Sequence, residues 1–306
     1  MVTREEALSE LLRFLKHAGY SFVAVTPATH ALVLARPLEG QPNLRDIFGW
    51  SRPFERGDLD DALLALLEAA DALESLDGKL RSRVRVAALG PDLLLHSAFP
   101  TDGADSVFFG PDTYRFARFI ELQLPRVAAH KWLVDMGAGS GAGTLAALRL
   151  RNFAKATMVD INPAALELAG LNAAEAGVGA ETLASDAVPK GADLIIANPP
   201  YMVDAARRPY RDGGDVLGGA VAMDWAGQAL TNLAPGGTML LYTGAAYVDG
   251  ASPLLTRLAS ACANAGARLD LYEIDPDVFG DELGQAQYRG VERIAAVGAV
   301  ITTRAD

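Results

Sequence analysis

The chain has 306 residues, half of them hydrophobic, and a formal net charge of −11; this leaves ample apolar material for a core and disfavours broad electrostatic capture of a phosphate backbone. The single cysteine, Cys262, excludes an internal disulfide and offers no cluster of thiolates to a zinc ion. No uncharged apolar run reaches the roughly 18 residues of a membrane-spanning helix, and Thr3-Arg4-Glu5-Glu6 reads as a helix start rather than the basic flank of a secretory leader, so no membrane association and a cytoplasmic location are expected.

In chain order, Leu8, Leu11, Leu12 and Leu15 mark one face of an amphipathic helix. A loop rich in Pro and Arg follows, then a Leu-rich segment from Leu59 to Leu76, read as the core face of a small domain. Val84–Leu89 and Leu93–Phe99 flank the turn signal Gly90-Pro91-Asp92 and predict a β-hairpin. These elements make residues 1–103 a smaller, mainly helical accessory domain with a hairpin, winged-helix-like in outline, whose expected role is substrate recognition. From Lys131 onward strands and helices alternate, with strands expected near 131–136, 155–160, 180–184, 192–197, 238–243, 268–274 and 293–302. That pattern predicts an α/β domain over 104–306, a mainly parallel sheet with helices on both faces.

The run Trp132–Met136 enters Gly137-Ala138-Gly139-Ser140-Gly141-Ala142-Gly143 and then a helical stretch. Glycines permit a sharp turn and close ligand approach, and the helix start offers N–H donors to an anionic or polar group. Gly137-x-Gly139-x-x-Ala142 also satisfies the relaxed dinucleotide fingerprint, with Asp160 at the distance of a ribose-binding acid. Hydride transfer therefore stays open at this point. Asp160, with Ile161 after it, ends the second strand, and Asp186 with Ala187 occupies the corresponding edge after the third.

Asn198-Pro199-Pro200-Tyr201 directly follows the buried-strand pattern Ala192–Ala197, where an open α/β sheet places its chemistry. Two successive prolines stiffen the main chain and leave carbonyl oxygens that no ladder consumes. An Asn amide oxygen beside a free carbonyl suits the two donors of a planar NH2 group, and the Tyr ring can lie against a flat substrate.

Taken together, the glycine loop, the strand-end Asp160 and the Asn-Pro-Pro-Tyr tetrapeptide resemble class I S-adenosylmethionine-dependent methyltransferases, and specifically the protein N5-glutamine methyltransferases that modify translation release factors, over roughly residues 105–245. The small-domain RNA guanine methyltransferases are also similar, but they usually carry Phe where Tyr201 stands. Phe108–Tyr114 resembles the segment that precedes the glycine loop in the glutamine family, with Gly110 and Tyr114 in place of an Arg and a Glu, and Arg211–Asp215 resembles its Gly-Gly segment. The resemblance implies a Rossmann-like sheet of order 3-2-1-4-5-7-6. It implies S-adenosyl-L-methionine held by Thr113, Asp135, Gly137, Ala138, Gly139, Gly141, Asp160, Ile161, Asp186, Ala187 and Asn198. Asn198, Pro199, Pro200 and Tyr201 would then carry methyl transfer to an amide or amino nitrogen.

The expected acceptor is a glutamine of a protein substrate. The alternative is an exocyclic amine of adenine in RNA or DNA, or of a small molecule, for which Arg207-Arg208-Pro209-Tyr210-Arg211 and Arg81-Ser82-Arg83-Val84-Arg85 offer basic surface. A cofactor-binding scaffold without catalysis is the third reading. His17, His30, His96 and His130 show no ligand spacing, so no metal site is expected and no role is assigned to them.

Overall fold

The computed structural model describes residues 2–128, 131–204, 207, 208 and 210–305; His130 and Pro209 of the motifs above lie outside them. The chain begins with α1 (Arg4–His17), where the Thr3 hydroxyl accepts from the Glu6 N–H and the Glu6 carboxylate accepts from the Thr3 N–H, so two orphan donors are satisfied at the helix start. Its buried face holds Leu8, Leu11, Leu12 and Leu15.

The stretch expected to be a Pro- and Arg-rich loop instead contains α2 (Pro27–Leu34) and α3 (Leu44–Phe48), started by Thr26 and Asn43 as side-chain caps. The Leu-rich run 59–76 splits into α4 (Asp61–Ala69) and β1 (Leu73–Leu76), separated at Asp71, whose φ of 48° ends the helix. β1 pairs with β2 (Lys79–Ser82), and β3 (Val84–Leu89) pairs with β4 (Asp92–Ser97) in two antiparallel hairpins.

The chain then runs through α5 (Pro111–Gln123), β5 (Trp132–Met136), α6 (Ala142–Leu150), β6 (Lys155–Asp160), α7 (Pro163–Glu175), β7 (Glu181–Ala184), β8 (Leu194–Ala197), α8 (Ala220–Asn232), β9 (Thr238–Tyr247), α9 (Pro253–Ala265), β10 (Arg268–Asp275) and β11 (Arg293–Thr302). Seven strands form one sheet in the order β10-β11-β9-β8-β5-β6-β7. The pairs among β5 to β9 are parallel, and β11 runs antiparallel to both β9 and β10. Central strands of such a sheet are covered on both faces and so carry continuous apolar runs; every residue of β8 is fully buried. Helices α5 and α6 cover one face, α8 and α9 the other.

The N-terminal elements share a core with α7. Asn172 of α7, fully buried, joins three parts of the molecule: its Oδ1 accepts from the Leu95 N–H at 2.9 Å, and its Nδ2 donates to the carbonyls of Leu95 at 3.0 Å and Ser140 at 2.9 Å. Hairpin and glycine loop are thereby fixed to one another. Arg149 and Asp92 add an ion pair across the same junction.

Candidate active site

The parallel strands β5, β6, β7 and β8 all end at one edge of the sheet, and there the loops enclose a cavity of about 880 Å³, within the usual range for small-molecule sites. The turn after β5 forms its floor. Gly137 and Gly139 have φ of 70° and 54°, the left-handed region that glycine enters without penalty. A Cβ on Gly137 would lie 2.5 Å from the Trp225 indole, so the turn and α8 pack directly.

All the sequence-predicted site residues line this cavity except Asp135 and Gly141. Asp135, 1 % exposed, turns inward: its Oδ2 accepts from the N–H and the hydroxyl of Thr144, both at 2.8 Å. It braces the start of α6 from behind. Burial pushes its carboxyl up to about 6, with the Thr144 bonds opposing. Gly141 packs against Met158 and Ala169, where a Cβ would stand 3.2 Å from the sulfur.

Asp160 stands at the strand edge. Its Oδ2 accepts from the Gly139 N–H and its Oδ1 from the Asn162 N–H, both at 2.9 Å; each oxygen keeps acceptor capacity for a ligand. Ile161, 59 % exposed, lines the cavity beside it, with Asp186 and Ala187 on the next loop. The Thr113 hydroxyl accepts from the Gly110 N–H at 3.3 Å.

Asn198 carries the most telling feature of the site. Its Oδ1 is shielded from solvent and has no hydrogen-bond partner among the described residues. A buried acceptor left unpaired costs free energy unless a ligand donor meets it. Behind it, the Gly-Gly segment presses on the tetrapeptide: Met202 N–H donates to the Arg211 carbonyl at 3.1 Å, Gly213 N–H donates to the Met202 carbonyl at 2.7 Å, and a Cβ on Gly218 would fall 2.1 Å from the Tyr201 carbonyl oxygen. The glycines are there because two main chains meet.

Tyr201 is 9 % exposed, its ring 5.8 Å from Phe279 and 6.5 Å from Tyr242 between centroids. Its ring also fills the place a side chain on Gly244 would take. Burial, then the nearby Asp112 charge, holds its phenol well above the ordinary value, so it is a neutral packing and hydrogen-bonding group rather than a base.

Several wall residues escaped the sequence reading. Val221, Asp224, Trp225 and Gln228 follow one another at helical spacing on the cavity face of α8, a signal visible once the helix after the Gly-Gly segment is recognised. Phe108 and Asp112 belong to the Phe108–Tyr114 segment, of which only Thr113 was expected in the site, and Phe116 of α5 and Phe279 lie outside any motif. Gly110 has a plain packing reason, since a Cβ there would meet the Phe108 ring at 2.6 Å. Tyr114 accepts the Ala24 N–H at 3.0 Å and so ties α5 to the N-terminal segment.

Most of the arginines in the basic stretches are engaged internally, while Arg207 is exposed. Arg208 pairs with Asp204 at 2.6 Å and Asp102 at 3.5 Å, and Arg211 with Glu282 at 2.5 Å. Arg81 pairs with Glu74 and Arg83 with Asp71, while Arg85 is buried and donates to the Ser97 carbonyl. Among the described residues no group of His, Cys, Asp and Glu could hold a metal, and no helix is long and apolar enough to cross a membrane.

Sheet order, glycine turn and strand-end tetrapeptide together define a Rossmann-like methyltransferase fold. Residues 117–245 match the family model described as the methyltransferase small domain. A release factor glutamine methyltransferase of Cereibacter sphaeroides is 38% identical over 132 residues, 37% of this chain and 47% of that protein. A ribosomal RNA large subunit methyltransferase G of Vibrio vulnificus is 35% identical over 103 residues, 31% of this chain and 27% of its own. The crystal structure of WT Trm5b from Pyrococcus abyssi, 14% identical, covers 79% of this chain and 68% of that chain with a TM-score of 0.50, a likeness of fold. The chain spans about half the length of the release factor glutamine methyltransferases it matches.

Proposed function

We propose that this protein is an S-adenosylmethionine-dependent N-methyltransferase whose acceptor is the carboxamide of a protein glutamine. The observation that carries this reading is the buried, unpartnered Asn198 Oδ1 in the cavity wall, at the head of Asn-Pro-Pro-Tyr. The residues present fit the cofactor. The Gly137 and Gly139 turn gives close backbone approach, Asp160 has acceptor capacity for the ribose hydroxyls, and Ile161, Asp186 and Ala187 border the place for the adenine. When bound, S-adenosylmethionine supplies an electrophilic methyl group on a sulfonium.

The protein's own contribution is orientation and charge. Asn198 Oδ1 and the Pro199 carbonyl accept the two N–H groups of the acceptor, which turns the nitrogen lone pair toward the methyl carbon and favours positive charge as it develops on nitrogen. Tyr201, held by Phe279 and Tyr242, sets the plane of the amide. Residues 1–103 act in this reading as the accessory domain that presents the substrate.

Similarity to the ribosomal RNA methyltransferase supports a second reading, an exocyclic amine in nucleic acid. The paired arginines weigh against it, because a guanidinium already neutralised by a carboxylate releases few counterions on binding phosphate. Incubation with methyl-labelled S-adenosylmethionine and an extract of cells lacking the protein separates the two. N5-methylglutamine in the hydrolysed protein fraction is the expected product; label sensitive to nuclease instead would overturn the protein assignment.

A further inference from the structure

The cavity wall contains five carboxylates, and they are not equivalent. Asp160 is committed to the glycine turn through Gly139 and Asn162. Asp212 accepts from the N–H groups of Asp204 and Gly214, Asp224 accepts from the Gln228 amide, and Asp186 is solvent-exposed. Asp112 alone is both buried, at 4 % exposure, and set beside Tyr201, the last residue of the tetrapeptide.

Its position is held from three sides. Tyr242 of β9 donates its hydroxyl to Asp112 Oδ1 at 2.7 Å, and Arg115, one turn along α5, reaches the same oxygen at 3.3 Å. Arg115 also donates to Asp275 of β10 at 3.0 Å, so its single charge is divided between two carboxylates. The Tyr242 and Arg115 contacts both fall on Oδ1, and the Tyr201 phenol is the third polar neighbour of the carboxylate. A carboxylate in low dielectric with half its positive partner engaged elsewhere attracts any further cation strongly.

Methyl transfer to an amide moves a positive charge. The acceptor nitrogen forms a bond to the methyl carbon, the carbon–sulfur bond breaks with its electron pair going to sulfur, and the alkylated nitrogen sheds a proton. Asn198 and Pro199 accept hydrogen bonds at that nitrogen but, being an amide oxygen and a carbonyl, carry no net charge. Resting on the methyltransferase reading above, we propose that Asp112 is the counter-charge at the transfer position, facing the methyl group and the nitrogen that becomes cationic, while the released proton passes to solvent from one of the N–H bonds held by Asn198 and Pro199. Tyr242 is then a positioning residue that keeps the Asp112 carboxylate turned to the cavity, and Tyr201, Arg115 and Asp275 complete the set of titratable groups that surround the carboxylate.

The test uses two cofactor analogues that differ only at that point. Sinefungin carries an ammonium group at the methyl position, whereas S-adenosylhomocysteine has a neutral sulfur and no methyl. Calorimetric titration of the full chain should give tighter binding of sinefungin. Asp112→Asn should erase that preference by at least about tenfold while leaving the Kd for S-adenosylhomocysteine unchanged, and Asp112→Glu should restore part of it. Tyr242→Phe, which keeps the ring and loses the bond, should narrow the preference by a smaller factor and serves where the Asp112 variant does not fold. An unchanged preference in Asp112→Asn refutes the assignment. So does an equal loss for both analogues, which would place Asp112 at the amino-acid end they share. If neither analogue binds the unaltered chain, the cofactor reading itself fails.

Discussion

Asn198→Ala should separate stability from activity. Neither polar atom of the Asn198 side chain makes a hydrogen bond among the described residues, and Oδ1 is a buried orphan. Truncation therefore removes no contact that holds the fold. It relieves a desolvated acceptor worth about 1–3 kcal/mol, against the loss of a small amount of packing in a wall that already borders a cavity of about 880 Å³. The expected outcome is a urea midpoint equal to or above that of the unaltered chain, with an unchanged slope. Activity should move the other way. Loss of one preorganised acceptor at a charge-developing atom costs about 10²–10³ in rate, or roughly 3–4 kcal/mol of transition-state stabilisation. Urea unfolding followed by circular dichroism reads the first quantity, and single-turnover transfer from labelled S-adenosylmethionine reads the second. A midpoint lowered by more than about 1 kcal/mol equivalent would mean that Asn198 is a structural residue, and full transfer by a folded variant would end its assignment as the acceptor clamp.

Gly244→Ala puts a Cβ 2.4 Å from the Tyr201 ring; overpacking of about 1–3 kcal/mol is expected, together with a lower transfer rate and unaltered S-adenosylhomocysteine affinity, since the displaced ring belongs to the acceptor side. Gly137→Ala meets Trp225 at 2.5 Å at a φ of 70°, and should weaken S-adenosylhomocysteine binding by at least about tenfold in calorimetry, because the turn must move away from the ligand. The third concerns acid stability. Burial first, with Arg85 also disfavouring the charged forms, lowers His30 to about 4 and His96 well below its ordinary value, so the unfolded chain binds protons that the folded chain does not. Stability present above about pH 6.5 should be lost as pH falls toward 4, by about 3 kcal/mol from His30 alone. Urea midpoints at pH 7.5, 5.5 and 4.5 that do not fall would refute this.

The sheet was legible because covered parallel strands carry uninterrupted apolar runs: Leu194–Ala197 has no polar residue to hide. β9 was read as ending at 243, yet it continues to Tyr247 through Gly244, Ala245 and Ala246, small residues whose strand character comes from the ten-residue pairing with β11 rather than from propensity. α2 escaped notice for the opposite reason. Pro27–Leu34 is apolar on nearly every side and mostly exposed, so no polar face marks its period. In the site, contiguous motifs could be read directly, since a glycine turn and a strand-end tetrapeptide act through neighbouring residues. Asp135 was expected to face the ligand, but sequence spacing cannot tell the two sides of a strand end apart when both are buried. Asp112 and Tyr242, 130 residues apart, meet only because β9 and α5 pack on the same face.

The choice between a protein and a nucleic-acid acceptor turns on where positive charge is available. Around the mouth of the cavity Arg208 and Arg211 are drawn to Asp204, Asp102 and Glu282, and Tyr210 donates to the Thr101 carbonyl, so the segments after the tetrapeptide, before α5 and before β11 are tied to one another by their own charges. A phosphate chain would have to compete with carboxylates already in place, at the cost of leaving Asp204, 8 % exposed, buried without its partner. The same ties leave a neutral carboxamide unopposed on its way to Asn198. Raising ionic strength should therefore change acceptor affinity little, whereas a slope of log affinity against log salt steeper than about −2 would count several phosphate contacts and restore the nucleic-acid reading.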